Sequence, residues 1–114
     1  MLGAFADDKL IGVVGFVRDG GRKTRHKGFI WGMYVHAEWR GRGVGRQLMV
    51  DALSRIDVMD GLRRVRLSVT TNNVPAKKLY ESLGFVVYGE ETEALCVEGE
   101  YYGEYHLVRT RTAG

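Results

Sequence analysis

The sequence predicts an α/β (α+β) fold, in which strands and two helices follow one another along a chain of 114 residues. Residues 44–56 carry apolar side chains at the 3.6-residue spacing of a helix that buries one face. Residues 64–70 alternate between apolar and polar side chains, which is typical of a half-buried strand. An apolar strand precedes the helix, and this order implies a right-handed crossover between two parallel strands.

The chain begins with a predicted hairpin. Leu2 to Ala6 and Leu10 to Val17 are apolar, and Asp7-Asp8 between them is a turn signal. Gly12 and Gly15 lie inside the second strand, where a glycine marks a bulge or the close packing of another backbone.

A basic loop and a third strand follow the hairpin. The loop runs from Arg18 to Gly28, and its cations are Arg18, Arg22, Lys23, Arg25 and Lys27. Two interpretations stay open: a solvated hairpin tip, or a surface that contacts an acidic partner or a cofactor phosphate. Phe29 to Val35 is continuously hydrophobic, which predicts a strand that is buried on both faces.

Two amphipathic helices are predicted. The first places Val44, Leu48, Met49, Ala52, Leu53 and Ile56 on its apolar face, and Gly61 is expected to end this segment. The second has Asn73 or Asn72 as its capping candidate and Pro75 in its first turn, where a proline's missing N–H costs nothing. Its apolar face is Ala76, Leu79, Tyr80 and Leu83, and Gly84 is its C-terminal cap.

The chain is predicted to close on an antiparallel pair. Phe85 to Tyr88 is β-like, residues 89–93 interrupt the strand, and Ala94 to Val97 resume it. Glu98-Gly99 is a turn, and Tyr101 to Arg109 forms the final strand.

A glycine-rich loop lies between the third strand and the first helix. Gly41, Gly43 and Gly45 allow a sharp turn and the close approach of a ligand to the backbone. The loop amides and the positive end of the helix dipole point to the same place, which predicts an anion site whose usual occupant is a phosphate. Two known phosphate loops do not fit, because the dinucleotide fingerprint and the P-loop both require a glycine where this chain has Arg46.

Composition narrows the class of protein. The length predicts one domain, residues 1–114, and the single cysteine, Cys96, excludes an internal disulfide and suits a reducing compartment. No apolar run approaches the roughly 20 residues of a membrane span, and the amino terminus lacks the layout of a signal peptide. A net charge of +3 does not by itself indicate nucleic acid. We therefore expect a cytoplasmic protein with neither a membrane nor a nucleic-acid partner.

Two motifs resemble those of the GNAT family of N-acetyltransferases. Arg40, Gly43 and Gly45 match the Arg-x-x-Gly-x-Gly loop that binds the pyrophosphate of acyl-CoA. The second motif is Asn73-x-x-Ala76-x-x-Leu79-Tyr80-Glu81-x-Leu83-Gly84-Phe85. The motifs have the family's order and separation, and the resemblance covers most of the chain. It implies a central mixed, mostly antiparallel sheet with a splayed parallel pair and two flanking helices.

The resemblance also implies a chemistry and its residues. Such enzymes transfer an acetyl group from acetyl-CoA, without a metal, directly to the amine of a small molecule or a protein. The Met33, Tyr34 and Val35 backbone would hold the pantetheine and polarise the thioester carbonyl, and Asn73 would hydrogen-bond the pantetheine arm. Tyr80 would be the general acid for the leaving thiolate, the alternative being a tyrosine packed in the core. The pyrophosphate would lie on Arg40, Gly41, Arg42, Gly43, Val44, Gly45 and Arg46.

The sequence does not identify a general base. The candidates, by composition only, are Glu38, His36, Glu90, Glu91 and Glu93. The three histidines, His26, His36 and His106, are expected to be structural or exposed. Cys96 has no basic neighbour in sequence that would activate it as an acyl carrier.

The resemblance does not show how the binding site for the amine acceptor is formed. Members of the family usually begin with a strand and two helices that wall the acceptor site, whereas this sequence opens near the second strand. A fragment, a wall supplied by a partner chain as in a homodimer, or an open acceptor site would each account for the difference. The main alternative function is a catalytically silent module that binds acyl-CoA. An RNA-binding domain is disfavoured, because a KH loop places Gly-x-x-Gly between two helices.

Overall fold

The structure is a computed structural model that describes residues 2–6 and 9–111, so the predicted turn at Asp7-Asp8 lies outside the described residues. The chain divides into two compact units, Met1–Arg63 and Arg64–Gly114. Neither of the two helices in the described residues has the length and hydropathy that a bilayer crossing requires.

The first unit contains three antiparallel strands and a helix, as the sequence predicts. Its elements are β1 (Leu2–Ala6), β2 (Lys9–Arg18), β3 (Lys27–Val35), a turn of 3₁₀ helix (Ala37–Trp39) and α1 (Val44–Ile56). β2 pairs with both β1 and β3. The 3₁₀ turn was not predicted, because a single turn has no periodicity to detect.

Helix α1 packs against the strands of its own unit through the predicted apolar face. The buried residues on this face are Leu48, Met49, Ala52, Leu53 and Ile56. A Cβ at Gly12 would lie 3.0 Å from a Leu48 methyl carbon and 3.1 Å from the Tyr34 carbonyl oxygen, so the glycine permits the close approach of the helix. The β2–β3 register also shifts between Val13 and Gly15. Both roles predicted for the β2 glycines are therefore confirmed.

The prediction that β3 is buried on both faces is wrong. Ile30 is only 4% exposed, but the side chain of the neighbouring Trp31 is 45% exposed and that of Tyr34 is 52% exposed. The unit has one helix, and one helix covers one face of a sheet. A continuous run of hydrophobic residues therefore does not show that both faces of this strand are buried.

The expected role of Gly61 is also corrected. Helix α1 ends at Ile56, and its C-cap is Asp57, whose N–H donates to the Leu53 carbonyl. Gly61 has φ 76° and lies in the turn that follows. The Arg18 guanidinium donates to the Asp60 carbonyl oxygen in that turn at 2.8 Å, which ties the start of the basic loop to the end of the α1 segment.

The second unit contains three strands and one helix. Its elements are β4 (Arg64–Thr70), α2 (Val74–Ser82), β5 (Val86–Val97) and β6 (Glu100–Thr110), and β6 pairs antiparallel with both β4 and β5. The predicted closing pair is confirmed, but the predicted interruption at residues 89–93 is wrong. β5 is continuous and absorbs the extra residues as bulges, with register shifts after Val87 and Glu91 and with Glu93 at φ 52°.

The ends of α2 follow the predicted chemistry. The Asn73 side chain accepts a hydrogen bond from the Ala76 N–H at 3.3 Å, and Pro75 lies in the first turn. Gly84 follows the C-cap Leu83 at φ 98°, a conformation that favours glycine.

Helix α2 lies over one face of the second unit's strands. Lys77 Nζ is 5.2 Å from the centre of the Tyr105 ring, and Tyr105 is the cross-strand partner of Val69. Because cross-strand partners share a face, α2 lies on the side that carries Val69. Ser68 and its partner His106 therefore point to the opposite side.

Candidate functional site

The first unit presents an uncapped helix N-terminus at the glycine loop. Gly43 is the N-cap of α1 and has φ 79° and ψ 7°, a left-handed conformation, and it brings no side chain to bond the helix amides. The first intrahelical bond runs from the Gln47 N–H to the Gly43 carbonyl at 3.0 Å. The N–H groups of Val44 and Gly45 precede that bond, so helix geometry gives them no carbonyl within the helix.

The space around this loop is open. A Cβ built at Gly41 or Gly43 meets no atom within 4 Å, and both glycines are exposed. Gly41 also has a left-handed φ of 78°, which a larger residue adopts only with strain. The glycines therefore leave room for a ligand beside the loop backbone.

Arginines place positive charge beside the loop. Arg40 Nε donates to the Val35 carbonyl oxygen at 3.0 Å, and its guanidinium lies 5.8 Å from the centre of the Tyr34 ring. The Arg42 guanidinium lies 4.8 Å from the centre of the Trp39 ring, within the range of a cation–π contact. With its Nε engaged, Arg40 has only its terminal nitrogens left for the predicted pyrophosphate contact.

His36 has a structural task in this segment. Its N–H donates to the Ile11 carbonyl oxygen at 2.6 Å, and its Nδ1 accepts from the Glu38 N–H at 3.2 Å, which caps the 3₁₀ turn. The carboxyl end of β3, directly before this turn, consists of the predicted pantetheine contacts Met33, Tyr34 and Val35. The first unit therefore contains every predicted cofactor contact except Asn73.

Asn73 belongs to the second unit, where its side chain already has one partner. Its Oδ1 accepts the Ala76 N–H as the α2 cap. The amide NH₂ group is the part of this side chain that can donate to a ligand carbonyl. A pantetheine contact and the cap are therefore compatible, because they use different atoms.

Tyr80, the predicted general acid, is buried in the second unit. Its side chain is 7% exposed and packs edge-on against Phe85, with ring centres 6.1 Å apart. Burial raises the pKa of Tyr80 above its ordinary value of 10.0, because desolvation disfavours the phenolate. An ordinary thiol has a pKa of about 8.5, so complete proton transfer from this phenol to a thiolate is uphill. The hydroxyl is better suited to donate a hydrogen bond to the developing thiolate.

The structure brings together a polar cluster on the second unit that the sequence does not reveal, although Glu91 is among the candidate bases. Ser68 Oγ lies 2.8 Å from His106 Nδ1, and His106 Nε2 lies 3.4 Å from Glu91 Oε1. One side-chain atom each of Glu91, Glu104 and His106 lies within 4.8 Å of the others, so these groups could also hold a cation. The residues come from three strands, and Ser68 and His106 are 38 positions apart, so no local spacing could have revealed the cluster.

Comparison with known proteins identifies the family. The acetyltransferase (GNAT) family model matches residues 1–85. The chain is 31% identical over 81 residues to the L-amino acid N-acetyltransferase AaaT of Escherichia coli, an alignment that covers 71% of this chain and 50% of the relative. It is 33% identical over 98 residues to the mycothiol acetyltransferase of Brachybacterium faecium, which covers 86% of this chain and 29% of the relative.

Solved structures agree with the sequence matches. An acetyltransferase of the GNAT family from Streptococcus pneumoniae superposes with a TM-score of 0.89 at 27% identity, covering 95% of this chain and 64% of that one. This match confirms the predicted fold class, a mixed sheet with two helices. The chain spans half or less of the length of both relatives named above. The family match, which extends over most of the chain, shows that it belongs to the GNAT family of acetyltransferases.

Proposed function

We propose that the protein transfers an acetyl group from acetyl-CoA directly to an amine. The observation that carries the proposal is the uncapped, open N-terminus of α1 behind the left-handed Gly43, in a chain of the GNAT family. Backbone amides in this arrangement bind phosphate oxygens. The exposed Arg42 and Arg46 add positive charge for a diphosphate.

The residues of the chain have separate tasks in this proposal. The α1 amides hold the diphosphate of the donor, and the β3 backbone at Met33 to Val35 aligns the pantetheine arm. Bound acetyl-CoA supplies an activated thioester. The amine nitrogen attacks the thioester carbonyl, and backbone N–H groups stabilise the negative charge that develops on the oxygen. Tyr80 donates a hydrogen bond to the departing sulfur.

The acceptor is an amine of a small molecule or a protein. The E. coli relative is named an L-amino acid N-acetyltransferase, so L-amino acids are the first acceptors to test. We place the reaction in the cytoplasm, since the free, exposed Cys96 suits a reducing compartment. A homodimer that completes the acceptor side is part of the same proposal.

Two measurements test the function. Calorimetric titration with acetyl-CoA should show saturable binding. Thiol release should then require an amine, in a panel of L-phenylalanine, L-2,4-diaminobutyrate, spermidine and a peptide with an N-terminal alanine. Binding without thiol release for any amine would identify the silent acyl-CoA module instead, and absence of binding would refute the loop assignment.

Gly43→Asp should weaken acetyl-CoA binding by about 100-fold. A carboxylate here would face the diphosphate, and two unit charges 4 Å apart interact by about 4 kcal/mol at a surface dielectric of 20, before screening by salt. Gly99→Asp is the matched control, because Gly99 has φ 80°, open surroundings and a place in the β5–β6 turn. Equal affinities of the two variants, measured by calorimetry, would contradict the proposed diphosphate site.

Asn73→Asp should separate the cap from the ligand contact. Aspartate keeps an oxygen for the Ala76 N–H and caps as well as asparagine, so the unfolding free energy should stay within about 0.5 kcal/mol of wild type. It lacks the NH₂ donor, and a lost hydrogen bond of about 1 kcal/mol should raise the acetyl-CoA Kd about fivefold. Asn73→Ala should lose both properties. A wild-type Kd for Asn73→Asp would remove Asn73 from the pantetheine site.

Tyr80→Phe should lower kcat by about 10- to 100-fold, because it removes the hydroxyl that stabilises the leaving thiolate. The acetyl-CoA Kd should change less than about twofold, since the ring and its packing against Phe85 are retained. Tyr101→Phe, at an exposed position of β6, is the control. Full activity of Tyr80→Phe would assign this residue to core packing alone.

A further inference from the structure

We propose that His106 takes the proton of the acceptor amine through the Ser68 hydroxyl, and that Glu91 positions the imidazole for this transfer. This inference rests on the proposed N-acetyltransferase function and supplies the base that the sequence does not identify.

The geometry places a hydroxyl and a carboxylate beside the two ring nitrogens of one imidazole. Ser68 and His106 are directly opposite each other on β4 and β6, and their side chains meet at 2.8 Å. Glu91 on β5 reaches the other ring nitrogen at 3.4 Å. The imidazole on β6 thus has a polar neighbour at each of its nitrogens, one from β4 and one from β5.

The chemistry of the partners assigns the tautomer. An ionised carboxylate only accepts hydrogen bonds, so Glu91 requires the proton of the neutral imidazole to be on Nε2. Nδ1 then carries the lone pair and accepts the hydrogen bond of the Ser68 hydroxyl. The imidazole is therefore oriented with its basic nitrogen toward Ser68, the relationship that a hydroxyl and its base have in hydrolytic triads.

The proton balance of the step is complete. An N–H bond of the ammonium breaks, its proton passes to Ser68 Oγ, and the Ser68 proton forms a bond with His106 Nδ1. The freed nitrogen lone pair forms the C–N bond of the amide as the C–S bond of the thioester breaks. A second N–H bond of the nitrogen breaks as the amide forms, and solvent carries this second proton to the thiolate, which has Tyr80 as its hydrogen-bond donor. The Glu91 carboxylate balances the imidazolium charge until solvent removes the first proton.

The surroundings of His106 suit a cationic substrate. The cluster lies on the face opposite α2, and the His106 side chain is 28% exposed, so it is accessible but not fully solvated. The carboxylates of Glu91 and Glu104 lie beside it and attract an ammonium ion. Ser68 is also close to the carboxyl end of β4, the end at which open α/β sheets bind their ligands.

The test compares His106→Gln, Ser68→Ala and Glu91→Gln in the full chain, with the most active amine of the panel. We expect His106→Gln to lower kcat by about 100-fold, a typical effect of losing a general base, with an unchanged acetyl-CoA Kd. Ser68→Ala and Glu91→Gln should lower kcat by about tenfold each. His26→Gln is the matched control, because His26 lies in the β2–β3 loop.

Chemical rescue separates proton transfer from a merely structural role. In His106→Ala, added imidazole should restore part of kcat, and it should not alter the control variant. Wild-type kcat in Ser68→Ala and His106→Gln, failure of imidazole to rescue, or an acetyl group on Ser68 in the intact mass would each overturn the inference. Loss of wild-type turnover in EDTA would also overturn it, by indicating a metal ion at the cluster. If wild-type protein releases no thiol with any amine, it is the proposed function that fails.

Discussion

At Gly43 the chain enters α1 in the left-handed region, at φ 79°, without a side chain that could bond the first amides of the helix. A serine, threonine, aspartate or asparagine at an N-cap normally satisfies one of these amides. Glycine leaves them pointing at the open space beside the loop, with the positive end of the helix dipole behind them. The anion site that we propose for the first unit depends on this missing cap.

An exposed loop can only present its amides accurately if the helix behind it is fixed. Helix α1 is held by a buried face that includes Met49, which is fully buried, and Gly12 lets its first turns lie close to β2. Arg40 anchors the other end of the loop by its hydrogen bond to the Val35 carbonyl. The loop is therefore held at both ends, by a packed helix and by the end of a strand, although two of its glycines are exposed.

The second unit differs from the first in the N-terminus of its helix. The Asn73 side chain caps helix α2 by accepting the Ala76 N–H. In this unit, therefore, side chains and not free helix amides provide the polar groups of the proposed site. Tyr80 faces the interior, where burial keeps its hydroxyl protonated. Ser68, Glu91 and His106 lie on the strand face that α2 does not cover, and the side chains of Glu91 and His106 are partly exposed there.

Local features of the chain were determined by the sequence alone. The helical spacing of residues 44–56, the Asn73 cap and the left-handed glycines depend on neighbours within a few positions, so their conformations follow from local sterics and hydrogen bonding. Only the tertiary structure decided that Trp31 is exposed, because exposure depends on which face a helix covers. It also decided that β5 continues through two register shifts and that Ser68, Glu91 and His106 meet, because strand register brings residues together that are distant in sequence.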